Sequence, residues 1–160
     1  MNKHIWRRFS MQIPTAFVAA GLFAGTPGAT AQAGEVNTGY FDNVAIEGYD
    51  TVAYFTEGKA TRGSEQFSHD WLGASWRFAS DEHRKLFAAS PIAYAPQYGG
   101  LCAEGVAFRE TTVNIEPEVW QIIDGKLYIT AAAEFGEGFE EKVQPEAEKN
   151  WPVVRELLTQ

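Results

Sequence analysis

Phe67-Ser68-His69-Asp70-Trp71-Leu72-Gly73-Ala74-Ser75-Trp76-Arg77-Phe78-Ala79-Ser80-Asp81-Glu82-His83 is the stretch on which the reading of the fold turns. Phe67, His69 and Trp71 alternate with Ser68 and Asp70, and Trp76 and Phe78 alternate with Ser75 and Arg77. A period of two on either side of a glycine-containing dipeptide predicts an antiparallel hairpin turning at Leu72-Gly73. Ser80 is then a good N-cap, and Asp81 and Glu82 oppose the helix dipole in the first turn. The helix should run to about Ala89 and stop at Pro91. His83, Leu86 and Phe87 fall at i, i+3 and i+4, so one helix face carries all three and points inward.

Working outward toward the N-terminus, Val52-Ala53-Tyr54-Phe55 is a short apolar turn ended by Glu57-Gly58-Lys59. Tyr40 to Asp50 mixes apolar residues with turn formers and suggests a short strand and a tight turn. Gly34 to Thr38 reads as a polar, flexible start. Toward the C-terminus, a helical turn over Ile92 to Ala95 leads into Pro96-Gln97-Tyr98-Gly99-Gly100, where paired glycines permit a positive-φ backbone. Asp124-Gly125 between two apolar runs signals a second hairpin over residues 119–129. The tail from Ala132 to Leu158 is helical in pattern, with breaks expected at Gly136, Gly138, Pro145 and Pro152. No internal repeat appears. The expected fold class is α+β: a hairpin and helix, a second hairpin, and C-terminal helices around them.

The first 33 residues have a different character. Lys3, Arg7 and Arg8 precede an apolar run over Ile13 to Gly25, and Ala29 to Ala33 offers small residues in an A-x-A pattern. This is the layout of a cleaved signal peptide, so residues 34–160 form the expected mature domain. The apolar run is too short to span a bilayer. Arg7-Arg8-Phe9 hints at twin-arginine export, but Trp6 and Ser10 fit that route poorly, which leaves the route open. The expected location is the periplasm or the exterior, with no membrane span after cleavage.

The whole chain carries 13 basic and 21 acidic residues, a net charge of −8. Cleavage would remove three basic residues and leave ten against 21, a net charge of −11. Such a surface repels phosphate backbones, which argues against nucleic-acid binding. Cys102 is the single cysteine, so no internal disulfide is available and a packed core must hold the domain. A lone thiol in an oxidising compartment is either buried and inert or kept for reactivity or metal affinity. His69 and His83 are the two histidines left after His4 departs with the leader. Thiolate and imidazole suit copper and zinc, so Cys102, His69 and His83 are the candidate metal ligands, with copper favoured over zinc. Glu104 lies two residues beyond the thiol and is expected to face solvent. No P-loop, dinucleotide fingerprint, nucleophile elbow, H-E-x-x-H or C-x-x-C occurs. The reading leans away from an enzyme.

Gly48-Tyr49-Asp50, Ala53-Tyr54-Phe55, the 67–80 hairpin, Tyr94-Ala95-Pro96-Gln97-Tyr98-Gly99-Gly100, Cys102-Ala103 and Asn150-Trp151-Pro152 together resemble the exported YHS domain-containing (seleno)proteins. The resemblance spans nearly all of the mature chain. It implies a small zinc-ribbon-related unit and a role in metal handling. The sequence departs from the wider family's thiolate set: Ala79 and His83 stand where that module has cysteines, and Val52-Ala53-Tyr54-Phe55 replaces an early one. In the exported subgroup a cysteine after Tyr-Gly-Gly is typical. A selenocysteine at the Cys102 position would imply a reactive or metal-binding chalcogen. Three functions follow as expectations: soft-metal binding in a chaperone-like or sensing role, thiol-redox chemistry at Cys102, or a non-catalytic module that docks on another exported protein.

Overall fold

The computed structural model describes residues 35–39, 43–109, 114–131 and 138–158. The proposed leader, residues 40–42 of the expected first strand and residues 132–137 of the tail lie outside that set. The fold is α+β, with two separate two-stranded antiparallel sheets among the described residues and helices packed around them. No helix of the described residues is long and apolar enough to cross a membrane.

The first hairpin pairs β1 (Ser64–Trp71) with β2 (Ala74–Phe78), with Trp71 opposite Ala74 and His69 opposite Trp76. β2 alternates as its sequence predicts, burying Ala74, Trp76 and Phe78. β1 starts three residues before Phe67, and the register shifts between Ser64 and Ser68. Gly63 explains the close approach at that end, because a Cβ there would run into the Arg77 backbone.

The expected helix is α2 (Asp81–Ala89), capped by the Ser80 side chain, which accepts from the His83 N–H. Its inward face carries His83 and Phe87. Phe87 meets Trp76 and Phe78 at ring separations of 4.9 and 5.0 Å, which ties the helix to the hairpin. Pro91 opens α3 (Pro91–Tyr94) at a position where its missing N–H is not needed.

The segment 52–55 is a helix, α1 (Thr51–Thr56), and not merely a turn. Asp50 caps it, and burial of Val52, Ala53 and Tyr54 holds six residues helical despite their short run. The expected strand before it is replaced by a 3₁₀ turn, Ala45–Gly48, flanked by single bridges at Val44 and Tyr49. A second 3₁₀ turn spans Gln97–Gly100.

These two turns face each other across Asn37. Its N–H donates to the Gly99 carbonyl, its side-chain amide donates to the Gly100 carbonyl, and its own carbonyl accepts from Ile46 N–H. The supposed flexible start is therefore a buried clasp. A polar residue reads as a tail by composition, yet here one tight turn leaves two carbonyls and the other an N–H for it to satisfy.

The chain then forms α4 (Ala103–Arg109), which hydrophobic periodicity over so few residues does not announce. The second hairpin, β3 (Trp120–Ile123) and β4 (Lys126–Ile129), sits where Asp124-Gly125 predicts. β4 is buried on both faces. Leu127 and Ile129 join a cluster around Trp76, Phe78 and Phe87, while Tyr128 joins one formed with Val106, Phe139, Ala147 and Val154. The hairpin is thus a wall shared by two cores.

A π-helical turn, Phe139–Val143, leads into α5 (Gln144–Leu158). The breaks expected at Pro145 and Pro152 do not occur. Pro145 closely follows the π-helical turn, where the helical hydrogen-bond ladder is already irregular and accommodates its missing N–H. Pro152 is exposed, so solvent can serve the Glu148 carbonyl it leaves unpaired. Burial of Ala147 and Val154 on the inner face and an Asn150 amide donating to Ala107 of α4 keep α5 in place.

Candidate functional site

Asp50 is a fully buried polar side chain, at 0 % exposure, with four hydrogen-bond partners among the described residues. One carboxylate oxygen accepts the N–H groups of Val52 and Ala53 at 2.9 and 3.2 Å. The other accepts Ala79 N–H at 2.8 Å and lies 2.6 Å from His83 Nδ1. A carboxylate already taking three N–H donors is served by an Nδ1–H, so the tautomer follows from the network. His83 Nε2 then faces Thr56 Oγ1 at 3.3 Å, with Glu57 Oε1 at 4.0 Å. The imidazole pins α2 to the cap of α1, and both of its nitrogens are engaged.

Cys102 lies elsewhere in the interior, 2 % exposed. Its Sγ accepts the Ala131 N–H at 3.3 Å and sits 3.3 Å from Thr130 Oγ1, just beyond β4. Gly99 and Gly100, at φ of 63° and 76°, turn the chain so that the thiol enters the core. His69 is half-buried on β1 and packs edge-on against Phe87 at 6.1 Å. Glu104, expected in solvent, is half-buried because α4 packs against α5.

Cys102, His69 and His83 therefore occupy three settings with three sets of partners. Among the described residues no group of three or more His, Cys, Asp or Glu side chains is placed to hold a metal ion. Asp50 is a functional-looking interior residue that thiol and imidazole chemistry does not single out in the sequence. Its signal was an Asp-Thr pair directly before an apolar run, a helix-cap pattern.

A concave site lies apart from Cys102, His69 and His83, between the first hairpin and α5. A cavity of about 160 Å³ is lined by Trp71, Leu72, Trp76, Trp151, Glu35 and Arg155, and its wall also includes Val36, Ala95, Pro96 and Gly99. The Trp71 and Trp76 rings stand 5.6 Å apart and are tilted by 55°, forming a corner. Trp76 Nε1–H donates to the Trp71 carbonyl, which fixes that corner. Trp151 approaches from α5, held by its neighbour Asn150. Arg155 donates from Nε and Nη2 to a single oxygen of Glu35, at 2.9 and 2.8 Å.

Two wall residues have left-handed backbones, Leu72 at φ 49° and Gly99 at φ 63°. The second hairpin uses the same two-residue turn with Asp124 at φ 49°, a residue type that tolerates it. Leucine at the equivalent position is strained by about 1–2 kcal/mol. Its side chain is retained in the cavity wall at that cost.

Comparison with family models, with curated proteins and with solved structures gives no match for this chain.

Proposed function

We propose that this chain, after export to the periplasm or the exterior, acts as a non-catalytic binding module whose ligand occupies the tryptophan-lined cavity. The observation that carries this reading is the convergence of Trp71, Trp76 and Trp151 from two separate cores onto one concave site. Small-molecule sites are concave, mostly apolar and fitted with a few polar groups, and this one has the Glu35–Arg155 pair at its edge. The strained Leu72 in the wall supports the same reading, because such strain tends to be kept where a side chain is needed. Asp50, His83 and Cys102 serve as interior fasteners in this account.

Ligand-observed NMR with small aromatic and amine fragments tests it. The expected result is a set of fragments that bind the native chain and lose binding in Trp151→Leu. If no fragment discriminates the native chain from a folded Trp151→Leu variant, the proposal fails.

A second reading keeps the expectation of a soft transition metal, copper ahead of zinc, as cofactor or cargo. Its support is the likeness to exported YHS proteins and the setting of Cys102, whose sulfur receives an N–H and neighbours a hydroxyl. It requires the thiol to give up those contacts and an imidazole to approach it. Anaerobic titration with Cu(I) and with zinc should then show one-to-one binding that Cys102→Ala abolishes. Binding unchanged by that substitution removes the thiol from the account.

A further inference from the structure

We infer that the cavity between the first hairpin and α5 takes a small organic cation of the methylated-ammonium class, an inference that rests on the binding-module reading above. Volume sets the first limit. About 160 Å³ is close to the roughly 150 Å³ of an engineered cavity that admits benzene, so the ligand is a headgroup of tetramethylammonium or choline size.

Charge sets the second limit. Of the ion pair at the edge, Glu35 is the inner partner, with its side chain 13 % exposed against 54 % for Arg155. Both guanidinium contacts fall on Glu35 Oε1, and Oε2 has no hydrogen bond among the described residues. The guanidinium, with two of its five N–H groups on the carboxylate, is the half-exposed partner, while the inner carboxylate keeps one oxygen with an unused acceptor capacity. Glu35 is itself a lining residue, and its carboxylate repels an anion and attracts a cation.

The third limit is the wall itself. Indole is the best of the side-chain faces for a cation; the partly exposed Trp71 and Trp151 line this site, and Trp76, 1 % exposed, backs Trp71. A methylated ammonium suits such a site better than a bare one. Its positive charge is spread over methyl groups that need no hydrogen bonds, and it is cheaper to strip of water. The chain's net charge of −8 raises the local concentration of any cation.

The full chain is titrated with choline chloride at constant ionic strength and followed by tryptophan emission. The neutral isostere 3,3-dimethylbutanol is run in parallel. The expected result is saturable binding of choline and at least about tenfold weaker binding of the isostere, as loss of the cation–π attraction predicts. Glu35→Gln keeps the shape and should weaken choline several-fold without changing the isostere. Trp151→Leu, followed by calorimetry, should abolish both. If Trp151→Leu does not fold, Glu35→Gln carries the decision. Equal binding of choline and isostere, or a Glu35→Gln variant that binds choline as tightly as the native chain, overturns the cation inference and leaves the binding-module reading standing. Failure of both ligands to bind overturns the cation inference, and the fragment experiment above then decides the wider reading separately.

Discussion

Asp50 accepts three backbone N–H groups and faces an imidazole while fully shielded from solvent, so the identity of its second oxygen matters. Asp50→Asn keeps the volume but removes the charge and sets an amide donor among groups that are themselves donors. Charged hydrogen bonds in the interior contribute more than neutral ones, and a stranded buried donor adds its desolvation penalty. The expected loss is about 3 kcal/mol in urea unfolding, with the N-termini of both α1 and α2 losing amide-exchange protection together. A loss below about 1 kcal/mol would mean that the carboxylate is not what joins the two helices. The sequence carried half of this. An aspartate before Thr51 announces a cap, but nothing local announces that Ala79 and His83 complete its shell.

The opposed turns at 45–48 and 97–100 belong to the scale of elements. Gly99 is left-handed, and a Cβ on it would meet the Glu35 carbonyl, so the turn can close on residues 35–37 only without a side chain. Gly58 is equally left-handed at φ 64° but has open space around it. The pair separates two effects. Gly58→Ala should lower stability by about 1 kcal/mol, the backbone term alone. Gly99→Ala should lower it by about 3 kcal/mol, since the Asn37 hydrogen bonds are also pushed apart. Thermal melts of the two variants measure the difference. Equal shifts would show that the clasp yields freely. The same displacement would open the cavity wall, so Gly99→Ala should also weaken any ligand held by Trp151.

For the molecule as a whole, the buried tyrosines set the response to alkali. Burial raises the phenol pKa of Tyr54, Tyr98 and Tyr128 above the ordinary tyrosine range, with neighbouring phenols and carboxylates adding to it. Tyr54 is further held by donating to the Pro117 carbonyl at 2.8 Å. A folded value above the unfolded one means that the stabilisation is fully present below the unfolded pKa. It is lost as pH climbs from there toward the folded values. The urea midpoint should therefore stay level up to about pH 9 and fall beyond about pH 10. Phenolate absorbance at 295 nm should show these three rings ionising only as the fold is lost. Ionisation of all tyrosines in one smooth step, before any loss of secondary structure, would contradict this account. Tyr54→Phe removes one contribution and should cost about 1 kcal/mol at neutral pH through the stranded carbonyl.

Sequence alone determined the two hairpins, the capped helix that follows the first, and the α+β class. Each of these rests on short-range physics: alternation on a pleated strand, a two-residue turn, a serine that accepts from the third residue on. Composition likewise determined that no disulfide holds the molecule, since Cys102 has no partner of its kind. Only tertiary structure decided that Asn37 is a clasp, that Pro152 rides inside a helix, and that the thiol and the two imidazoles go to three different neighbourhoods. It alone brought Trp71 and Trp151, 80 positions apart in the chain, to one cavity. Long-range convergence depends on how two cores share the second hairpin. That packing is a property of the assembled surfaces and has no period in the sequence from which to be read.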